Sequence, residues 1–71
     1  MSSDIRVQFG DRVRRLRKRK GLTQLELAEL LGVGRSYLSQ VESGKRDPGL
    51  RLIKSIADGL EISVSKLLRQ F

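Results

Sequence analysis

Residues 23–44 read T-Q-L-E-L-A-E-L-L-G-V-G-R-S-Y-L-S-Q-V-E-S-G, and this stretch constrains the fold more than any other. Thr23 and Glu26, three residues apart, form a capping box that opens a helix, and Leu27, Ala28 and Leu31 share one of its faces. Gly32-Val33-Gly34 then leaves room for a corner and nothing longer. Gly32 suits the left-handed conformation that ends a helix, and Val33 is placed to plug the core between two helices. A second helix follows over about 35–42. Its apolar residues Tyr37, Leu38 and Val41 fall on one arc, and Arg35, Ser36, Ser39 and Gln40 fall on another that does not overlap it. The spacing predicts two short helices at a fixed angle, the second with one face for the core and one for a partner.

The rest of the chain supplies that core. Ile5, Phe9, Val13 and Leu16 make a narrow apolar stripe on a first helix over about 4–20. Its last turn is basic and Gly21 follows, as suits the negative end of a helix dipole and a left-handed cap. Residues 43–48 (S-G-K-R-D-P) are turn-rich and close the two-helix unit. Beyond them Leu50, Leu52, Ile53, Ile56, Ala57 and Leu60 form a wide apolar arc on a helix over about 49–58. Ser63 caps a last short helix that carries Val64, Leu67 and Leu68 and runs to Phe71. With no repeat, low-complexity run or linker, residues 1–71 read as one all-α domain, a compact five-helix bundle.

Charge narrows the partners. The chain has 15 Lys and Arg against 8 Asp and Glu, a net charge of +7. Eight of the cations and only two of the anions lie in residues 1–20. Such a surplus on a small domain is the footprint of a polyanion binder. The basic run of the first helix reads as a solvated, phosphate-attracting surface that sets affinity and salt dependence, not sequence choice.

Other chemistries are thinly provided for. With no Cys and no His there are no disulfides, thiol nucleophiles or usual zinc ligands. No carboxylate pair is placed for acid–base work, since Glu26 is a cap and Glu29 a solvated edge. The domain is too small to enclose a ligand cavity as well as a core. No apolar run approaches the roughly 20 residues that span a bilayer, and Met1-Ser2-Ser3-Asp4 is no signal pattern. The expectation is a soluble, cytoplasmic, nucleoid-associated protein. It is expected to be no enzyme, and to have no cofactor, metal, membrane or small-molecule partner.

A short helix held rigidly by a neighbour, presenting small polar and basic side chains, is what the DNA major groove admits. On that helix Arg35 is a bidentate reader of guanine, a phosphate clamp or a solvated charge. Gln40 either pairs with adenine or faces solvent. Tyr37 lies at the boundary of the two arcs, its ring toward the core and its hydroxyl within reach of a phosphate. The wide arc of the fourth helix is either core or, with Leu52, Val64 and Phe71, the seam of a two-fold dimer.

Four segments in order, F-G-D-R-V-R-R-L-R (9–17), G-L-T-Q-L-E-L-A (21–28), G-V-G-R-S-Y-L-S-Q-V-E-S-G-K (32–45) and Pro48 with L-x-x-I-x-x-I-A (50–57), carry a resemblance. Over about 9–68 the chain resembles the Cro and phage-repressor, or Xre-like, helix-turn-helix family. Its members include small stand-alone regulators such as restriction–modification controllers. The resemblance implies base reading by Arg35, Ser36 and Gln40, with Ser39 on the same face. It implies phosphate contacts from Gln24, beside the free N–H groups of a helix start, and from Lys45 and Arg46 in the following loop. It also implies that Arg17 and Glu42 form an ion pair tying the first helix to the third.

Two positions depart from the family pattern. Gly34 stands where a Ser or Thr cap is common, a change worth only a few tenths of a kcal/mol but one that removes a hydroxyl contact to phosphate. Leu25 stands where a polar residue is commoner. The function implied is a sequence-specific double-stranded DNA-binding transcriptional regulator, acting as a homodimer on a palindrome with half-sites roughly 34 Å apart. The alternative is a protein-interaction module of the same fold, an antitoxin or co-activator bridge, with weak salt dependence and tolerance of change at Arg35 and Gln40.

Overall fold

The computed structural model describes residues 4–69, which form five helices and no strand. These are α1 (Ile5–Arg19), α2 (Gln24–Leu31), α3 (Arg35–Glu42), α4 (Leu50–Gly59) and α5 (Val64–Leu67). The first four agree with the expected spans to within a residue at each end. The last stops at Leu67, and Phe71 lies outside the described residues.

Local chemistry sets the helix starts. Asp4 accepts from the Arg6 backbone N–H and opens α1. At α2 the capping box is complete: Thr23 Oγ1 accepts from the Glu26 N–H at 3.1 Å, and Glu26 Oε1 accepts from the Thr23 N–H at 2.8 Å. Ser63 caps α5 through the Lys66 N–H. Gly34 caps α3 with no side-chain bond. The corner between α2 and α3 turns on Gly32, whose φ of 70° is strained for any residue with a Cβ.

Among the described residues ten apolar side chains form the core, and every helix contributes. They are Phe9 and Val13, Leu27 and Ala28, Leu38 and Val41, Ile56 and Ala57, then Leu60 and Leu67. Val33 packs against this cluster from the corner, as do Leu16, Leu31, Tyr37, Leu52 and Val64. Two expectations fail at helix ends. Ile5 is 53% exposed, so the stripe of α1 begins in effect at Phe9. Leu50 is 87% exposed, because it stands in the first turn of α4 at the edge of the apolar arc. Leu25, which departs from the family pattern, is exposed as well.

At Gly10, α1 lies tight against the end of α3. A Cβ built there would lie 2.3 Å from the Val41 carbonyl oxygen and 2.6 Å from that of Glu42. Backbone therefore meets backbone where α1 crosses the end of α3. A glycine in mid-helix costs about 1 kcal/mol against alanine, and here that cost lets the two helices touch.

Candidate nucleic-acid interface

The inner face of α3 is anchored by Leu38 and Val41, both fully buried. Its outer face carries Arg35 and Ser36, exposed, with Ser39 and Gln40 half-buried beside them. The four proposed base-reading residues thus share one surface, and the corner and core hold it in place.

Behind that surface lies a buried polar anchor. Arg17 is 6% and Glu42 7% exposed. Arg17 Nε donates to Glu42 Oε2 at 2.7 Å, and its Nη2 donates to Oε1 at 3.1 Å. Arg17 Nη1 donates to the Leu22 carbonyl at 2.8 Å. This two-point guanidinium–carboxylate contact supplies the hydrogen bonds that a buried charge requires. Among the described residues no buried side-chain nitrogen or oxygen lacks a partner.

Gln24 joins the anchor. Its side-chain amide donates to Glu42 Oε1 at 3.0 Å, linking the first residue of α2 to the last of α3. The resemblance assigned it to phosphate, and here one of its two amide N–H bonds is taken by Glu42. Sequence reading had no signal for this bond, which joins residues 18 apart.

The loop after α3 folds back on the helix. Lys45 is exposed, and its backbone N–H donates to the Gln40 carbonyl at 2.9 Å. The Arg46 guanidinium lies over the Tyr37 ring, 5.2 Å from its centroid, in cation–π range. Arg46 Nε donates to Gln40 Oε1 at 2.8 Å. Tyr37 is half-buried against the core, as expected for a boundary residue.

The basic run of α1 is more occupied than its composition suggests. Arg6 pairs with Asp4, Arg14 and Arg15 share Asp11, and Lys20 pairs with Glu61. Arg12 reaches the far end of the chain, donating to the carbonyls of Leu67 at 2.8 Å and Lys66 at 2.7 Å. It adds a side-chain donor to carbonyls at the end of α5, one of which, that of Lys66, also accepts from the Arg69 N–H at 3.3 Å. The reading of the run as solvated surface therefore needs correcting at Arg12, which binds the protein itself, while Arg17 pairs with Glu42 as the resemblance implied. Exposed pairs such as Lys20–Glu61 hold weakly and leave the net field positive. The Lys20 ammonium draws the Glu61 carboxyl below its ordinary range, and Arg6 does the same to Asp4.

The sequence pattern of the helix-turn-helix family HTH_3 matches residues 13–67. The chain belongs to that family. Control protein C.MunI from Mycoplasma sp is 38% identical over 66 residues, covering 92% of this chain and 89% of its own length. The restriction-modification controller protein C.AhdI from Aeromonas hydrophila superposes with a TM-score of 0.85 at 45% identity, over 87% of this chain and 94% of C.AhdI. SinR, the master regulator for biofilm formation, solved in complex with DNA, matches with a TM-score of 0.79. Its identity is 38%, over 84% of this chain and 97% of that one. Within the HTH_3 family match lie both helices of the corner, the Arg17–Glu42 anchor and all four outward residues of α3. No described helix is long and apolar enough to cross a membrane.

Proposed function

We infer that this chain, a helix-turn-helix DNA-binding transcriptional regulator, reads a palindromic operator as a homodimer with α3 in the major groove. The single observation that carries the reading is the outward face of α3. Arg35, Ser36, Ser39 and Gln40 stand together on a helix pinned by Leu38, Val41 and the buried Glu42. Arg35 is the principal base reader, since an exposed guanidinium fits the two acceptors of guanine. Lys45, in the loop after α3, and the net charge of +7 supply the sequence-independent attraction to phosphate. The Gln24 amide, held by Glu42, leaves the free N–H groups at the start of α2 as the phosphate site there.

Dimerisation is supported by α4 and α5. Leu52 and Val64 are only half-buried, and Leu50 and Leu68 are exposed nearby in sequence. A 71-residue chain gains from covering such surface. A two-fold pair would set two copies of α3 about one DNA turn, roughly 34 Å, apart. C.MunI and C.AhdI bear the names of controllers, and a regulator of that small kind fits this chain in a cytoplasmic, nucleoid-associated setting.

The test is selection of bound duplexes from random sequence at two salt concentrations, with sedimentation equilibrium on the protein. A two-fold consensus and a dimer mass are expected. Salt-sensitive binding that enriches no motif would overturn the sequence-reading assignment.

A further inference from the structure

Among the described residues on the outer face of α3, Gln40 has its hydrogen-bonding polarity fixed by the protein. An arginine Nε–H can only donate, so the amide atom 2.8 Å from Arg46 Nε is the carbonyl oxygen. The two N–H bonds of Gln40 Nε2 are thereby turned to the other side of the carboxamide. Arg46 is itself held in place, its guanidinium 5.2 Å from the Tyr37 ring centroid and Tyr37 packed against the core. The loop that carries it is tied to α3 by the Lys45 N–H on the backbone carbonyl of Gln40 at 2.9 Å and the Gly44 N–H on the backbone carbonyl of Val41 at 3.1 Å. Gly44 has a φ of 77°, and a Cβ there would meet Val7 at 2.6 Å, so the loop closes against α1.

We propose that Gln40 reads DNA as a hydrogen-bond donor, that Arg46 is the positioning residue that makes it one, and that the base favoured opposite Gln40 is guanine. The proposal rests on α3 lying in the major groove as argued above. Glutamine pairs with adenine by accepting from N6 and donating to N7, and so needs its carbonyl toward the base. Here one of the two lone pairs of that carbonyl is taken by the Arg46 Nε–H, and the carbonyl is turned toward the loop that carries Arg46. Guanine shows two acceptors, N7 and O6, and no donor at those positions. An amide that leads with N–H can donate to N7 of either purine, but guanine alone adds a second acceptor at O6, where adenine sets its N6 amine against the amide donors. The reading departs from the adenine pairing that the residue type alone suggests.

The experiment compares the wild-type chain with Gln40→Ala, Arg46→Met and Gln40→Glu, each selected against random duplex DNA. Circular dichroism on each variant checks that the helices remain. Gln40→Ala marks the base pair in question as the one whose preference it relaxes. At that pair the wild type is expected to prefer guanine over adenine by about tenfold or more. Arg46→Met is expected to shift that pair toward adenine while leaving the others unchanged. Gln40→Glu keeps Arg46 but has only acceptors, and is expected to abolish the guanine preference. Adenine at that pair in the wild type overturns the proposal. So does an Arg46→Met variant that weakens all sequences equally and keeps guanine, because Arg46 would then be a phosphate contact only. A wild-type consensus that Gln40→Ala leaves intact overturns this proposal alone, whereas the lack of any consensus overturns the DNA-reading assignment beneath it.

Discussion

The Arg17 guanidinium meets the Glu42 carboxylate at two points, Nε to Oε2 at 2.7 Å and Nη2 to Oε1 at 3.1 Å, with both side chains buried. It joins the last part of α1 to the last residue of α3, and so fixes one end of the helix proposed to enter the groove. Breaking it leaves a buried charge without its counterpart. Arg17→Met is expected to destabilise the fold by about 3–5 kcal/mol, read by urea denaturation. Replacing both residues with apolar ones is expected to recover much of that loss, because the unpaired charge disappears with its partner.

Gly10→Ala tests the contact between α1 and α3. Alanine is the better helix former by about 1 kcal/mol, and on an exposed helix it would stabilise. Here its Cβ would stand 2.3 Å from the Val41 carbonyl, an atom of backbone that cannot swing aside. The expected net result is a loss of about 1–3 kcal/mol from overpacking. An increase in denaturation midpoint would mean that the two helices separate freely.

Gly34→Ser is expected to act in the opposite direction. Gly34 has a φ of −73° and no atom within 4 Å of a Cβ built there, so a serine fits without strain. It would give α3 the side-chain cap it lacks, for a gain of a few tenths of a kcal/mol. The added hydroxyl faces the DNA in the proposed docking, so binding should tighten at all sequences alike. Titration of a consensus and a scrambled duplex measures this.

Arg35→Ala is expected to relax the preference at one base pair per half-site, at a cost of about 1–3 kcal/mol. Lys45→Ala should weaken all sequences together and lower the slope of log affinity against log salt by about one. If Arg35 holds phosphate, its variant will instead share the uniform weakening expected of Lys45→Ala.

The pH dependence follows from Glu61. Its carboxyl is held below the ordinary value of 4.5 by the Lys20 ammonium. A depressed folded-state pKa adds stability above the unfolded value, and that stability is lost as pH falls through the folded one. Wild type should therefore lose more stability than Lys20→Met as pH is lowered past 4.5. The difference should shrink in high salt, since the pair is exposed. Thermal melts at pH 7 and pH 3 provide the comparison.

What was legible in the sequence was local. The capping box at Thr23, the left-handed Gly32 and the separation of Leu38 and Val41 from Arg35 and Gln40 each depend on residues within one or two turns. Pairing of Arg17 with Glu42 is long-range, and only the family resemblance suggested it. Periodicity names the face of a helix that turns inward, but not where its neighbours stop. Ile5 and Leu50 were therefore counted as core and proved exposed. The partners of Gly10, Arg12 and Arg46 depend on how whole helices and loops are set against one another, and a helical wheel carries no trace of them. That is also why residue type alone leaves Gln40 as an adenine partner or a solvent-facing side chain, without regard to the residue whose Nε–H it accepts.

The close contact at Gly10 has a bearing on how such a protein can diversify. With backbone resting on backbone, no side chain at that crossing can be enlarged or trimmed to tilt α3 by degrees. Arg35, Ser36 and Ser39 stand on the opposite side of the same helix, away from the buried Leu38 and Val41. In the proposed docking, substitutions there would alter the text that is read while the angle of the reading head stays fixed. A new operator can then be acquired one letter at a time, with the fold left out of the negotiation.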